Sequence, residues 1–400
     1  MRYAVWFGVC MAALVTLLIP AAAQTLESYA AALVRPPLED QFGFDAPRWL
    51  RHDGPGYDRG WDGDGPERRR GSEIGPDFIV YNCLGERRPL EFAVARLRPF
   101  GTLKLVGSGP ACTLVAPLRL EKPIRVSGDK DATLLGPPGG PCLIVPPGGS
   151  LAIAEVRLRS WSDGDTPCIA AEGADVSLER MAIQTRGTAL TAKGGRLSLR
   201  EVHLSGGPAP VLRLQHAEFA IIKASVESYG DGAEIIPPAE GIAQIGQAEF
   251  NALGRRGVGL VLHAEGPPGA RVVLDDIKIE DFVAGLKVGP GTRSVATHLH
   301  VGHAGEVGVE AAGSGLDLSN SVIQADDVGV RLTGYLPGAP GDAPRILDNE
   351  INARGPGIAV EDGTPGEARN NSIGVRPGRC IVGVSRFGDF RERENLCHPP

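Results

Sequence analysis

Phe, Tyr and Trp together make up only 5% of this 400-residue chain, and methionine occurs three times. A core short of large rings has to be filled by small and branched side chains, which favours many thin layers over one thick interior. Helical spacing is nearly absent after residue 100, so a helix bundle or a doubly wound α/β domain is excluded. Basic residues are outnumbered, 41 against 48, and no basic stripe runs along the chain. That balance argues against nucleic acid as a partner. After the first twenty residues no apolar run is long enough to span a bilayer, so no transmembrane anchor is expected. The cysteines form no Cys-x-x-Cys motif and no Cys-His cluster, which argues against a structural metal site.

What is present begins with an export leader. Arg2 precedes the apolar run from Ala4 to Ile19, and Ala21-Ala22-Ala23 offers small residues for cleavage, giving a signal peptide over 1–23. Cys10 lies inside the apolar run, so lipid attachment is not expected. The mature protein is expected outside the cytoplasm: periplasmic, at the cell surface or secreted. Six cysteines then remain, Cys83, Cys112, Cys142, Cys168, Cys380 and Cys397. An even count in an exported chain favours disulfides. Sequence leaves their pairing open; Cys83–Cys112, Cys142–Cys168 and Cys380–Cys397 are preferred, the first two spacings being close to the repeat described next.

Residues 24–75 differ from the rest. The stretch HDGPGYDRGWDGDGPERRRG (52–71) has almost no aliphatic residue and cannot bury enough surface to offset ordering entropy. It is expected to be a flexible arm, available to a protein partner. Asp58, Asp62, Asp64 and Glu67 miss the spacing of a calcium-binding loop. Order is expected from Asp77 onward. PLEFAVARL (89–97) has helical spacing, and LRLEKPIRVSGDKDATLLGPP (118–138) alternates like strands broken at Gly128-Asp129.

From Leu151 a rhythm takes over. The segments LAIAEVRL, VSLERMAI, LSLREVHL, AIIKASV, QIGQAEF, VLDDIKI, ATHLHV, DLSNSVI, ILDNEI and ARNNSI align with a polar residue in register: Glu155, Arg180, Glu201, Lys223, Gln247, Asp276, His298, Asn320, Asn349 and Asn371, at steps of 21 to 29 residues. A period in the twenties with alternation inside each unit is the mark of a stacked solenoid. A second strand follows a Gly-rich turn in units such as GVGLVLHA, AGLKVG, EVGVEA, DVGVRL and GPGIAV, the glycines being expected to supply unusual backbone angles. The charges from Glu155 to Lys223 alternate in sign, which suits a stacked ladder. The Asn residues suit an amide ladder, and Asn349 and Asn371 stand two places before the following Ile instead of three, which allows them to turn inward.

The entry segment EKPIRVSGDKDATLLG and the late units DNEINA and RNNSIG resemble those of the pectin-lyase-like superfamily over roughly residues 75–395. The resemblance implies an all-β fold, a right-handed parallel β-helix of about ten to twelve coils. Residues 76–140 would be the N-terminal cap and first coils, 141–378 the β-helix and 379–400 a C-terminal cap.

Candidate functional residues fall on the strand after each Gly turn. Its outward residue is expected to run Arg213, Val261, Lys287, Glu310, Arg331 and Ala359. In the resembling enzymes this face commonly carries sugar chains, and lyases or epimerases of uronates need a base and a cation. Lys287, Glu310 and Arg331 are the catalytic candidates, with Arg213, His263, His300 and His303 as ligand-binding candidates. His298, His300 and His303 form an H-x-H-x-x-H cluster, yet no metal site is assigned. Polygalacturonase signatures are incomplete: Asp275-Asp276 and Asp326-Asp327 are present, Asn-Thr-Asp is absent, and Gly302-His303-Ala304 and Arg345-Ile346-Leu347 each depart from the pattern. The Trp-Ile-Asp-His and Asp-Pro-His-Asp signatures of pectate lyases and mannuronan epimerases are missing too. The expectation is therefore a protein that binds or scaffolds envelope or extracellular polysaccharide without catalysis and needs no cofactor. A divergent lyase or epimerase, with calcium as its cofactor, and a structural or adhesive surface protein are the alternatives.

Overall fold

The computed structural model describes residues 75–399 apart from 85–87, 108–110, 130–131, 266–270, 335–342, 362, 377–378 and 384–389. The expected signal peptide, and the expected arm up to residue 74, lie outside the described residues. Three ladders of parallel strands run along the chain. Sheet A starts at Phe78–Asn82, passes through Gly101–Val106, Ile124–Gly128 and Ser150–Ala154, and ends at Phe390–Arg393. Sheet B starts at Cys112–Thr113 and ends at Leu396–His398. Sheet C starts at Leu118–Arg119 and ends at Ile381–Val382. Successive coils stack as a parallel β-solenoid of about 13 turns. That exceeds the expected ten to twelve because the coils before residue 150 carry no polar marker.

Each repeat contributes three strands, not two. The marked segment itself bends, giving its first half to sheet A and its second to sheet B. The bend is made at the marker, which adopts the left-handed conformation: φ is 60° at Glu155, 45° at Arg180, 53° at Glu201 and His298, and 51° at Asn320. In the last repeats this role falls to Asp348 (φ 58°) and Asn370 (φ 56°). Asn349 and Asn371 therefore do not belong to the marker column, contrary to the alignment above. They sit one place later and point inward, where Val156, Val202, Ala248, Ile277 and Leu299 fill the same position in earlier coils.

There the column changes from apolar to amide. The Oδ1 of Asn349 accepts the Ser321 N–H at 3.0 Å, the Oδ1 of Asn371 accepts the Asn349 N–H at 3.0 Å, and the Oδ1 of Asn395 accepts the Asn371 N–H at 3.1 Å. Each Nδ2 donates in turn to a sheet A carbonyl: Asn349 to Leu318, Asn371 to Ile346 and Asn395 to Ala368. Burying an amide is tolerated because its donors and acceptor are all used.

The core is built as rows. Sheet A turns Leu178, Leu199, Ile221, Ile245, Leu274, Leu318 and Ile346 inward, sheet B turns Ile183, Leu204, Val226, Phe250, Ile279, Val301 and Ile323, and sheet C turns Leu260, Leu286, Val309, Val330 and Ile358. Each such side chain stabilises the stack by about 1.5–3 kcal/mol, which no single coil could collect alone. The glycines of the sheet C strands serve this packing, not the turns. Gly259, Gly285, Gly308, Gly329 and Gly357 do not have positive φ, and a Cβ on Gly308 would lie 2.3 Å from the Cγ2 of Ile323. The expectation that they supply special backbone angles is thus corrected: they make room for the branched row of sheet B.

A short helix, α1 (Leu90–Arg96), lies between the first two sheet A strands and buries Leu90, Ala93 and Val94 in the core. Lys122 closes its C-terminal end, donating to the carbonyls of Ala95 (2.8 Å) and Leu97. A cation there satisfies free carbonyls and complements the helix dipole. The last residues add a strand to each ladder. Disulfides join Cys83 to Cys112, Cys142 to Cys168 and Cys380 to Cys397, the preferred pairs. Three bridges fit an oxidising compartment outside the cytoplasm. No helix among the described residues is long and apolar enough to cross a membrane.

Candidate functional site

Parallel stacking places equivalent residues of neighbouring coils about 4.8 Å apart, so an outward position becomes a column. The central outward column of sheet C reads Arg213, Glu234, Val261, Lys287, Glu310, Arg331 and Ala359. Glu234 occupies a coil that the sequence alignment passed over when it set Val261 directly after Arg213. The addition changes the electrostatics. Arg213 donates through Nε to Glu234 at 2.9 Å and through Nη2 to Asp165 at 3.1 Å, on the turn entering sheet C. His263 reaches the other oxygen of Glu234 at 3.5 Å. Further along, the Lys287 ammonium stands 3.4 Å from Glu310. Arg331 follows on the next coil and makes no ion pair among the described residues.

The candidates thus divide. Arg213 and His263 are brought together through Glu234, and Lys287, Glu310 and Arg331 stack on consecutive coils of the same face. His300 and His303 lie elsewhere. His300 points out from sheet B, with Nε2 3.5 Å from Glu280. His303 is an exposed left-handed residue (φ 54°) at the turn leaving sheet B. His298, on the A–B bend, contacts Asp275 at 3.0 Å, and Asp275 also accepts from Thr297 at 2.7 Å. The bend at His298 therefore sets it apart from His300 and His303, which follow on the sheet B side. No group of three or more potential metal ligands is assembled among the described residues.

Sheet B carries a second charged face that sequence reasoning missed, apart from His300. Lys278 lies 3.3 Å from Glu249 on the preceding coil and 3.2 Å from Glu280 on its own strand. Hydrogen bonds to Glu280 and then Glu249 raise the Lys278 pKa above its ordinary value. Two coils before Glu249, His203 approaches Glu227 of the intervening coil at 3.6 Å. The signal was available, since Glu249, Lys278 and His300 occupy one repeat position, but the 29-residue coil between Glu249 and Lys278 hides it. At the A–B bend, Glu155, Arg157, Arg180, Met181, Ala182 and Glu201 line an open groove of about 510 Å³. Arg180 is committed there to Glu179 and to Glu155, 3.2 Å away.

No protein-family model matches the chain, and no curated protein sequence matches it. Solved structures do. The catalytic domain of a GH87 α-1,3-glucanase, determined with tetrasaccharides, aligns with a TM-score of 0.54 at 9% identity, over 83% of this chain and 71% of that one. What they share is the parallel β-helix fold. The A-module of the mannuronan C-5 epimerase AlgE6 from Azotobacter vinelandii aligns at a TM-score of 0.45 and 13% identity, over 75% of this chain and 91% of that one. A PL6 family polysaccharide lyase from Pseudopedobacter saltans aligns at 0.38 and 15%, over 81% and 93%.

Proposed function

We propose that this chain is an exported β-helix that binds polysaccharide along the outward face of sheet C, without catalysis. The supporting observation is the column from Arg213 to Arg331, in which five of six successive outward positions are charged. Its five coil-to-coil steps span about 24 Å, a straight polar track suited to an extended polymer. A lyase or epimerase needs a base and a free cation at one sugar carboxylate. Here Arg213 is held by Asp165 and Glu234, and Lys287 by Glu310, so the cations serve the ladder first. A second reading, a divergent uronate lyase or epimerase, rests on Arg331, which follows the Lys287–Glu310 pair and makes no ion pair among the described residues.

The test is a glycan array of uronate and neutral polysaccharides probed with the mature protein, then with Lys287→Ala and Arg331→Ala. Binding should weaken several-fold for each variant, as expected for losing about 1 kcal/mol of polar contact. Binding of no glycan at all, or unchanged binding by both variants, would refute the reading. Unsaturated products in an ultraviolet assay, or altered uronate configuration by NMR, would replace it with the enzymatic one.

A further inference from the structure

We infer that the corner of sheet B around Trp161 is a subsite for a uronate unit of an acidic polysaccharide. The inference deepens the proposed function and rests on it. Trp161 lies on the outward side of the strand Arg157–Gly164 and leaves 54% of its surface exposed. The large rings Phe219, Phe250 and Phe282 are by contrast fully buried. On the next coil Arg186 lays its guanidinium over the indole, 5.0 Å from the ring centre. Arg159 shares the outward face two residues before Trp161, about 7 Å along the strand.

Two guanidiniums beside an exposed aromatic ring distinguish this corner; Arg331 on sheet C shares only their lack of an ion pair among the described residues. Arg213, Lys278 and Lys287 are all held by carboxylates on their own faces. Arg159 and Arg186 form no ion pair among the described residues. Two uncommitted guanidiniums flanking an exposed indole are complementary to a ligand with both an anionic and an apolar side. A uronate pyranose has both: C–H groups to lie on the ring, and a carboxylate to accept the guanidinium fork. Stacking over Trp161 holds the Arg186 fork in place before a ligand arrives, which reduces the entropy lost on binding.

Position ties this corner to the sheet C track. The chain leaving Trp161 reaches Asp165 four residues later, and Asp165 is bonded to Arg213 at the start of the charged column. A second exposed ring, Tyr229, lies three coils on, in the column that runs from Asp163 through Arg186 and Gly207, about 14 Å from Asp163.

The experiment is calorimetric titration of the mature protein with polygalacturonate oligomers and with the same oligomers after carboxyl reduction. Trp161→Ala and the double variant Arg159→Gln/Arg186→Gln are compared with wild type, with Lys287→Ala as a control on the sheet C column. All the altered side chains are outward, and thermal melting checks that the fold is kept. The expected result is binding of the acidic oligomers that falls about tenfold or more in both corner variants, a loss of one charge-assisted contact or one stacked ring. The carboxyl-reduced oligomers should bind wild type weakly and the double variant no worse. Equal binding of the two oligomers by wild type would overturn the assignment of a uronate. Acidic-oligomer binding reduced by Lys287→Ala and untouched by both corner variants would overturn this subsite while leaving the proposed function standing. If wild-type protein bound no polysaccharide of any kind, the proposed function itself would fall.

Discussion

Asn370 and Asn371 are adjacent and chemically identical, yet the fold gives them opposite tasks, and replacing them one at a time should show it. Asn371 is 1% exposed. Its Oδ1 accepts the Asn349 backbone N–H and the Asn349 Nδ2, both at 3.0 Å, and its Nδ2 donates to the Ile346 carbonyl at 2.8 Å and to Asn395 at 2.9 Å. Asn371→Ala leaves two buried donors without their acceptor, the Asn349 N–H and one Asn349 Nδ2 hydrogen, and takes a side-chain donor from the Ile346 oxygen. Each orphan costs about 1–3 kcal/mol. Water entering the vacated space recovers part of this, so about 3–5 kcal/mol is expected. Asn370 is exposed, at φ 56°, and its side chain makes one surface bond, to Asp348 at 3.1 Å. Asn370→Gly gives up that bond and suits the left-handed angle, so its effect should stay within about 0.5 kcal/mol. Urea unfolding followed by circular dichroism measures both, the midpoint shifting at constant slope. A cost below about 1 kcal/mol for Asn371→Ala, joined to a larger one for Asn370→Gly, would show that the two residues had been assigned the wrong way round.

Other consequences are equally open to measurement. Gly308→Ala would push a Cβ to 2.3 Å from Ile323 and 2.7 Å from the Gly329 carbonyl, so about 1–3 kcal/mol should be lost by overpacking, and the second change Ile323→Val should recover part of it. Ile277 is 1% exposed between Ala248 and Leu299, and Ile277→Asp should cost about 3–5 kcal/mol, seen as a fall in the unfolding midpoint. Lys278 should titrate above an ordinary lysine in NMR and move back toward it in Glu280→Gln. Because its folded pKa is the higher one, the stability it adds is present below the unfolded lysine pKa and disappears as pH rises through the folded value. Lys278 is 47% exposed, so that contribution should be small and should shrink with added salt.

The solenoid could be read from the sequence because a buried row imposes the same residue class at the same place in every coil. Its register was harder to read wherever two neighbouring residues could each fill a role. At Asp348-Asn349 and Asn370-Asn371, both members suit a left-handed bend and both suit an amide ladder, and only the direction of the side chains separates them. Glu234 is hard to see because Asp231 precedes the glycine of its coil, Gly232, where the later sheet C strands place Val, Ala or Pro. The charged face of sheet B is spread over coils of unequal length, and Trp161 looks like one isolated aromatic until stacking places Arg186 over it. Functional positions on a solenoid are outward, where packing sets no residue class. Periodicity finds the column and leaves its content to chemistry.

The central claim is that polysaccharide lies along sheet C and reaches the corner at Trp161. A crystal structure of the mature protein with a polygalacturonate oligomer tests this most directly. Sugar units following the column through Arg213, Lys287 and Arg331, with a carboxylate at Arg186, are predicted. An oligomer bound on another face, such as the A–B bend, or found nowhere on the solenoid at saturating concentration, would contradict the account.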